Sequence, residues 1–309
     1  MQSIVPSASV IDASRPTPPM RTRALVLINH CARGGKNDLT PALERLTEAG
    51  TKLVHERLEQ PAHVGEIIKR QRERVDLVII GGGDGTMSAA ADALVEAQLP
   101  LGIIPLGTAN DLARTLSIPA DPVAAADVII AGRQRRIDLG LVNGKHFFNV
   151  ATMGLGVGVT RRLTHERKRR WGVLAYLFAG IELLAHVRPF TVDIETENDK
   201  FRVRTVQVMV GNGKYFGGGL TVDEAATIDD GLLNLVSLEV EHWWQLVKLI
   251  PAMWRGREPK KHVRTLVGRE FTLRPVRRRR RKVTADGEVA ARSPAHFRIV
   301  PRSLSVFVP

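Results

Sequence analysis

The chain has 309 residues, 44% of them hydrophobic, and one cysteine, Cys31. Its length exceeds the ~100–200 residues of a typical domain, so two cores are expected. A lone cysteine excludes an internal disulfide framework and suits a reducing cytoplasm. The formal net charge of +13 calls for an anionic partner; nucleic acid, an acidic membrane face and phosphorylated substrates all satisfy it.

Residues 1–20 lack a basic start and a continuous apolar stretch, so they do not read as a signal peptide. Their Ser and Pro content predicts a disordered leader over 1–22. Ala24 to Asn29 is the first predicted strand. Thr40 reads as an N-cap with Pro41 at the first helical position, and Gly50 closes that helix. Strand Thr51–Arg57, helix Ala62–Arg72, strand Val75–Ile80, helix Thr86–Ala97, strand Leu101–Ile104 and helix Asp121–Ala131 follow. Regular alternation of apolar strands with helices predicts a doubly wound parallel sheet, covered on both faces, over 23–133.

From Gln134 the pattern turns to strands. Leu139–Val142 and Lys145–Val150 flank Asn143-Gly144, a strong hairpin signal. Thr191–Glu195, Phe201–Val210, Leu232–Leu238 and Phe271–Arg274 are further strands. Two helices are expected among them, Gly172–His186 and Trp243–Trp254. On the second, Trp243, Val247, Ile250 and Trp254 share a face read as core ahead of lipid contact. The apolar run from Trp171 to Ile181 is broken by Glu182, short of the ~20 residues that span a bilayer. The fold class is therefore α/β followed by a mainly antiparallel β domain over 134–301. The strand Ser303–Val308 is placed to rejoin the first domain through 302–309.

Two turns carry the chemistry of the first domain. Val75–Ile80 ends in Gly81-Gly82-Gly83-Asp84-Gly85-Thr86-Met87, and Leu101–Ile104 ends in Pro105-Leu106-Gly107-Thr108-Ala109-Asn110-Asp111. Paired glycine turns at the carboxyl edge of a parallel sheet suit a polyphosphate, because bare main-chain N–H groups can approach the anion. No GxxxxGK[ST] loop is present, and GxGxxG fails at Thr86. A tight strand-to-helix connection, with Asp84 capping the helix, is the structural alternative.

Taken together, GGGDGT and PLGTANDLAR resemble the soluble bacterial diacylglycerol kinases, relatives of the sphingosine kinases and, more distantly, of the NAD kinases. The resemblance covers Ala24 to Pro309 and implies a C-terminal β-sandwich-like domain, with the site in the cleft between domains. It implies that ATP contacts Gly81 to Met87, Gly107, Thr108 and Asn110, with Asp84 near the magnesium of ATP. The first family loop reads Asn-Pro-x-Ser-Gly, whereas here Asn29-His30-Cys31-Ala32-Arg33-Gly34-Gly35-Lys36 stands. Asn29 and Lys36 still fit ATP contacts. Glu56 or Arg57 replaces a usual threonine, and Glu224 a usual proline.

Two more segments match the family. Gly217-Gly218-Gly219 followed by Asp229-Asp230-Gly231-Leu232-Leu233 implies a structural magnesium held by the Asp230 side chain and the main-chain oxygens of Thr227 and Leu232. All-oxygen ligands suit magnesium; a metal-free Asp-Gly turn is the alternative. Thr284-Ala285-Asp286-Gly287-Glu288 implies the catalytic base, Asp286 or Glu288. Two carboxylates two residues apart on an extended chain share one side, so both are expected to face the acceptor. An exposed hairpin is again the alternative.

Arg277 to Lys282 reads RRRRRK, and Arg161-Arg162 with Arg167 to Arg170 precede Trp171. Contact with an anionic membrane, contact with ATP phosphates, simple solvation and nucleic-acid binding all compete for these runs. The expectation is an ATP- and magnesium-dependent lipid kinase, cytoplasmic and peripherally membrane-associated, acting on diacylglycerol or a related glycerolipid, with no nucleic-acid partner and a homodimer open. An NAD kinase-type enzyme and a non-catalytic nucleic-acid-binding protein are the alternatives.

Overall fold

The computed structural model describes residues 22–32, 34–35, 38–154, 188–213, 227–240, 262–276 and 280–309. Lys36, the leader, the Arg161–Arg170 cluster, the glycine triplet 217–219 and the helices expected at 172–186 and 243–254 lie outside these residues.

The first half alternates as its sequence pattern requires. Strands β1 (Arg23–Ile28), β2 (Lys52–Arg57), β3 (Leu77–Gly82) and β4 (Leu101–Pro105) form a parallel sheet in the order β2-β1-β3-β4. Helices α1 (Thr40–Glu48), α2 (Val64–Gln71), α3 (Asp84–Ala97), α4 (Asp111–Thr115) and α5 (Pro122–Ile130) connect the strands. Side chains alternate across the pleat. Leu25, Leu27, Val78, Ile80, Leu101 and Ile103 share a core with Ile67 and Ile68 of α2 and Ala90 and Leu94 of α3. Ala24, Val26, Ile28, Leu77, Ile79 and Ile104 share another with Leu46 of α1 and Ile129 of α5.

Two local expectations are corrected, and one helix is added. Thr40 is the first helical residue and not the cap; its amide donates to Asp38 Oδ1 at 2.9 Å. The second helix begins as a 3-10 turn, Pro61–His63, and α2 starts at Val64. The five-residue α4 was not predicted, because it is too short to show a helical period.

The second half holds β5 (Gln134–Val142), β6 (Lys145–Phe147), β7 (Val150–Met153), β8 (Phe190–Glu195), β9 (Lys200–Thr205), β10 (Gln207–Gly211), β11 (Leu233–Leu238), β12 (Val263–Gly268), β13 (Glu270–Pro275), β14 (Lys282–Ala285), β15 (Glu288–Arg292) and β16 (Ala295–Phe307). A six-stranded sheet runs β12-β11-β10-β7-β14-β15, and its paired strands are antiparallel. The parallel strands continue through β16 into β13, β8 and β9, with β5 and β6 beside them, to make a ten-stranded sheet. Phe147, Val192, Phe271 and Phe297 of the ten-stranded sheet meet Met153, Val210, Leu235 and Val283 of the six-stranded one in a single core. This is the sandwich.

Two predicted strands are each split between the sheets. The run 145–150 breaks at Phe148-Asn149, so β6 pairs β5 while β7 pairs β10 and β14. The run 201–210 breaks after Thr205, whose fully buried hydroxyl bonds the Leu238 and Gln207 carbonyls at 2.9 Å each. Hydrophobic pattern alone cannot show a strand changing sheets, because the alternation continues across the break. The Asn143-Gly144 turn forms as expected, with φ of 47° and 89°.

The predicted closing strand is the end of something longer. β16 has 13 residues: Ala295 and Phe297 belong to the sandwich core, while Leu304 and Val306 belong to the α/β core. Val306 pairs with Leu101 of β4, and a register shift between Val300 and Leu304 interrupts its pairing with β5.

Candidate active site

The two glycine turns leave neighbouring strands at one edge, since Gly82 of β3 lies opposite Pro105 of β4. Leu106 N–H donates to Gly82 O at 2.9 Å, drawing the turns together. They touch through glycine: a Cβ on Gly107 would stand 2.6 Å from Gly83 Cα, and one on Gly83 would stand 2.9 Å from Gly107 Cα. Gly81 is closed in by Ile28 and Gly82 by Thr86. These four glycines are explained by packing. Gly85 is not, for a Cβ there would meet nothing within 4 Å. It is exposed in the first turn of α3, where bare N–H groups and the positive helix end favour an anion.

Asp84 opens α3, is half-buried and accepts the Leu112 N–H of α4 at 3.2 Å. Thr86 is buried, its Oγ1 accepting from Asn29 Nδ2 at 2.8 Å. Asn29 Oδ1 in turn accepts Cys31 N–H, so Asn29 ties the first loop to α3. His30 stands in the position of the family's proline; its Nδ1 lies 3.1 Å from Gly35 O and helps close the loop. Met87 supports the turn from beneath: it is 3% exposed in the core, and its amide bonds Gly83 O. Asn110, at φ 49°, folds its side chain back onto the Gly107 main chain, while Thr108 is exposed. An open cleft of ≈ 370 Å³ lies here, lined by Gly34, Pro105, Leu106, Gly107, Thr108, Asn110 and Ala120.

Asp286, from the sandwich, lies close enough to Asp84 to feel its charge. It occupies the tip of the β14–β15 hairpin at φ 47°, followed by Gly287 at φ 89°. Its carboxylate accepts the Phe148 N–H at 2.8 Å on Oδ2, and the Asn149 and Val150 N–H groups at 2.9 and 3.0 Å on Oδ1. Asp286 N–H donates to Val150 O at 2.8 Å. The break between β6 and β7 that the sequence concealed is thus the cradle of this carboxylate. Burial pushes the Asp286 carboxyl up to about 6, and the neighbouring Asp84 charge adds to the rise. The three amides and the partial exposure of the residue work against it. A carboxylate offers about four acceptor positions, so Oδ2, with one donor, keeps one open.

Glu288 does not share this position. The chain is not extended between the two carboxylates, because Asp286 and Gly287 make the turn and Ala285 pairs with Glu288. Glu288 is exposed at the head of β15. The hairpin alternative and the buried carboxylate are both present, in one motif.

Asp230 is exposed, and its two oxygens accept the Thr227 N–H at 3.0 Å and the Leu232 N–H at 2.9 Å. Thr227 and Leu232 therefore flank one carboxylate, and each of its oxygens retains acceptor capacity. An exposed carboxylate with acceptor capacity left suits a hard cation. Among the described residues no cluster of three His, Cys, Asp or Glu offers another metal site. Asp229 makes a two-pronged pair with Arg135 at 2.8 and 2.5 Å and also takes a bond from the Thr227 side chain.

Sequence reasoning missed Asp138. It is 1% exposed in β5 and accepts Gly231 N–H at 2.7 Å and Arg302 N–H at 2.6 Å, joining the Asp230 turn to the bulge of β16. A charged residue between Ile137 and Leu139 was the available signal. Of the RRRRRK run, Arg280 is exposed, while the Arg281 guanidinium stacks over the Phe190 ring at 3.8 Å. Among the described residues no helix is long and apolar enough to cross a membrane.

Two glycine turns joined at one edge of a parallel sheet, with the Asp286 carboxylate of the adjoining sandwich close to Asp84, suit a phosphotransferase of the kinase class. Residues 23–142 match the diacylglycerol kinase catalytic domain, and residues 149–308 match the YegS C-terminal NAD kinase beta sandwich-like domain. The chain belongs to the diacylglycerol kinase family and is a lipid kinase. Diacylglycerol kinases of Staphylococcus aureus strains bovine RF122 / ET3-1 and MRSA252 are 28% identical to it over 295 residues, 94% of this chain and 93% of theirs. A crystal structure from Bacillus anthracis str. Sterne, provisionally described as a diacylglycerol kinase, has 25% identity and a TM-score of 0.82, covering 97% of this chain and 99% of that one. A second diacylglycerol kinase structure from that organism shares the fold, with a TM-score of 0.77 at 23% identity over 95% and 99% of the two chains.

Proposed function

We propose that the protein transfers the γ-phosphoryl group of ATP to the hydroxyl of diacylglycerol or a related glycerolipid at an anionic membrane face. The observation that carries this reading is Asp286, whose carboxylate is fixed by three main-chain donors beside Asp84 with one acceptor position open. The ATP phosphates lie over the first turn of α3 and the turn from Gly107 to Asn110, where Gly85 leaves the anion unobstructed. Asn29 and Thr86 hold that turn in shape, and Lys36 adds a cation from the first loop. Asp286 accepts the proton of the lipid hydroxyl as the oxygen attacks phosphorus. A carboxyl titrating near 6 is ionised at neutral pH yet basic enough to take a proton, which suits general-base work.

Asp84 would hold the magnesium of ATP, which would offset charge on the transferring group. The Asp230 carboxylate and the carbonyls of Thr227 and Leu232 would hold a second magnesium, which would brace their turn. The test is incubation of purified protein with γ-labelled ATP, magnesium and a total lipid extract. Label in a phosphomonoester of a glycerolipid is the expected result. Label in a dinucleotide, or none in any lipid, overturns the reading.

A further inference from the structure

Asp92 lies on α3, eight residues or about two turns beyond Asp84. Its carboxylate accepts the His146 main-chain N–H at 2.9 Å, meets His146 Nδ1 at 2.8 Å and pairs with Lys145 Nζ at 2.8 Å. Because a carboxylate only accepts, Nδ1 is the protonated ring nitrogen. Burial alone would raise this carboxyl, but the bonds from His146 and Lys145 outweigh burial and hold it well below the usual range. An exposed Lys–Asp pair by itself would do little. The bond to the His146 amide differs, because it fixes the backbone of β6.

That backbone leads straight to the site. β6 ends at Phe147, and the next three amides are those that hold Asp286. Among the described residues β6 pairs with one strand, β5, and α3 packs against it. Phe148 adds a second contact, sharing the core of Ala90, Ala91 and Leu94. Asp84 and Asp92 ride on one helix, so anchoring β6 to Asp92 references the Asp286 cradle to the helix that presents Asp84.

We propose that Asp92, with His146 and Lys145, is a positioning clamp that sets the separation between the Asp84 turn and Asp286. Its bearing on catalysis rests on the proposed function, in which Asp286 is the base. Misplacing reacting groups by about 1 Å can cost about 100-fold in rate, whereas ATP binding on the glycine turns does not depend on β6.

The experiment compares Asp92→Ala and Asp92→Asn with the unaltered protein in kcat, KM for ATP, melting temperature and hydrogen exchange over residues 145–150. Asp92→Ala is expected to lower kcat about 10- to 100-fold, with KM for ATP within about twofold, and to speed exchange there about tenfold. Asp92→Asn, whose side-chain oxygen still accepts both His146 N–H groups, should recover most of kcat. Unchanged kcat and exchange in Asp92→Ala overturn the clamp, and so does a lowered melting temperature with normal kcat. If Asp92→Ala fails to fold, His146→Phe, which loses only the ring bond, should show a partial kcat loss; a normal kcat there overturns the proposal. Failure of the unaltered protein to phosphorylate any lipid sinks the proposed function, while the exchange measurement still decides the clamp.

Discussion

At the scale of single residues, Asp286 is where structure and chemistry meet, and its titration gives two expectations. In the proposed role of base it must be ionised, so kcat/KM should rise with pH through about 6 and then level. The folded carboxyl holds its proton more tightly than the ordinary value of 3.8. The folded state therefore carries the extra proton between about pH 4 and 6, and stability falls as pH rises across that window. Asp286→Asn keeps an oxygen for the Asn149 and Val150 amides. It should lower turnover at least about 100-fold and flatten that part of the melting-temperature profile. Glu288→Gln, exposed at the head of β15, should lose much less. Equal losses in the two variants would return the base to an open question between them. Identical pH–stability profiles for Asp286→Asn and the unaltered protein would remove the raised titration.

At the scale of elements, the glycines of the two turns separate structure from binding. Gly107→Ala forces a Cβ against Gly83 Cα and should cost about 1–3 kcal/mol in denaturant unfolding. Gly85→Ala meets no neighbour and removes a flexible residue from a helix, so stability should hold or gain up to about 1 kcal/mol. Its KM for ATP should nonetheless rise, because the new methyl projects where the proposed function sets the phosphates. A normal KM in Gly85→Ala would move the nucleotide off this turn. The Asp230 turn allows a parallel test. Its carboxylate bonds both Thr227 and Leu232 amides, so Asp230→Ala should lower the melting temperature with or without metal. If it also holds magnesium, the melting shift on adding magnesium should shrink in the variant. A full shift would leave the turn metal-free.

At the scale of the whole molecule, β16 and the ten-stranded sheet bind the two halves into one body. Phe297 and Val306 on the same strand serve different cores. The net charge of +13 belongs to this scale as well. Each cation near an anionic surface contributes about 1 kcal/mol, acting within a Debye length of roughly 8–10 Å. Arg281 is stacked on Phe190 and serves the sandwich, so the variant of interest replaces Arg277 to Arg280 with Gln. Binding to anionic vesicles should weaken, while activity on substrate dispersed in detergent should hold. Equal loss in both, with a raised KM for ATP, would make these arginines nucleotide ligands.

The sequence by itself determined the parallel half almost strand for strand. Alternating pleat faces and glycine stops are local properties, written within a few residues of where they act. It also marked the Asp84, Asp230 and Asp286 turns, because Asp-Gly chemistry is local. Only the tertiary structure decided what those turns face. The 145–150 and 201–210 runs change sheets without changing their alternation. The cradle at Phe148 to Val150 consists of main-chain N–H groups, which every residue but proline carries and no side chain advertises. Asp138 and Asp92 bond amides far along the chain, 93 residues away at Gly231 and 54 at His146. Such pairings follow from how the sheets close on each other, and no window of sequence contains both partners.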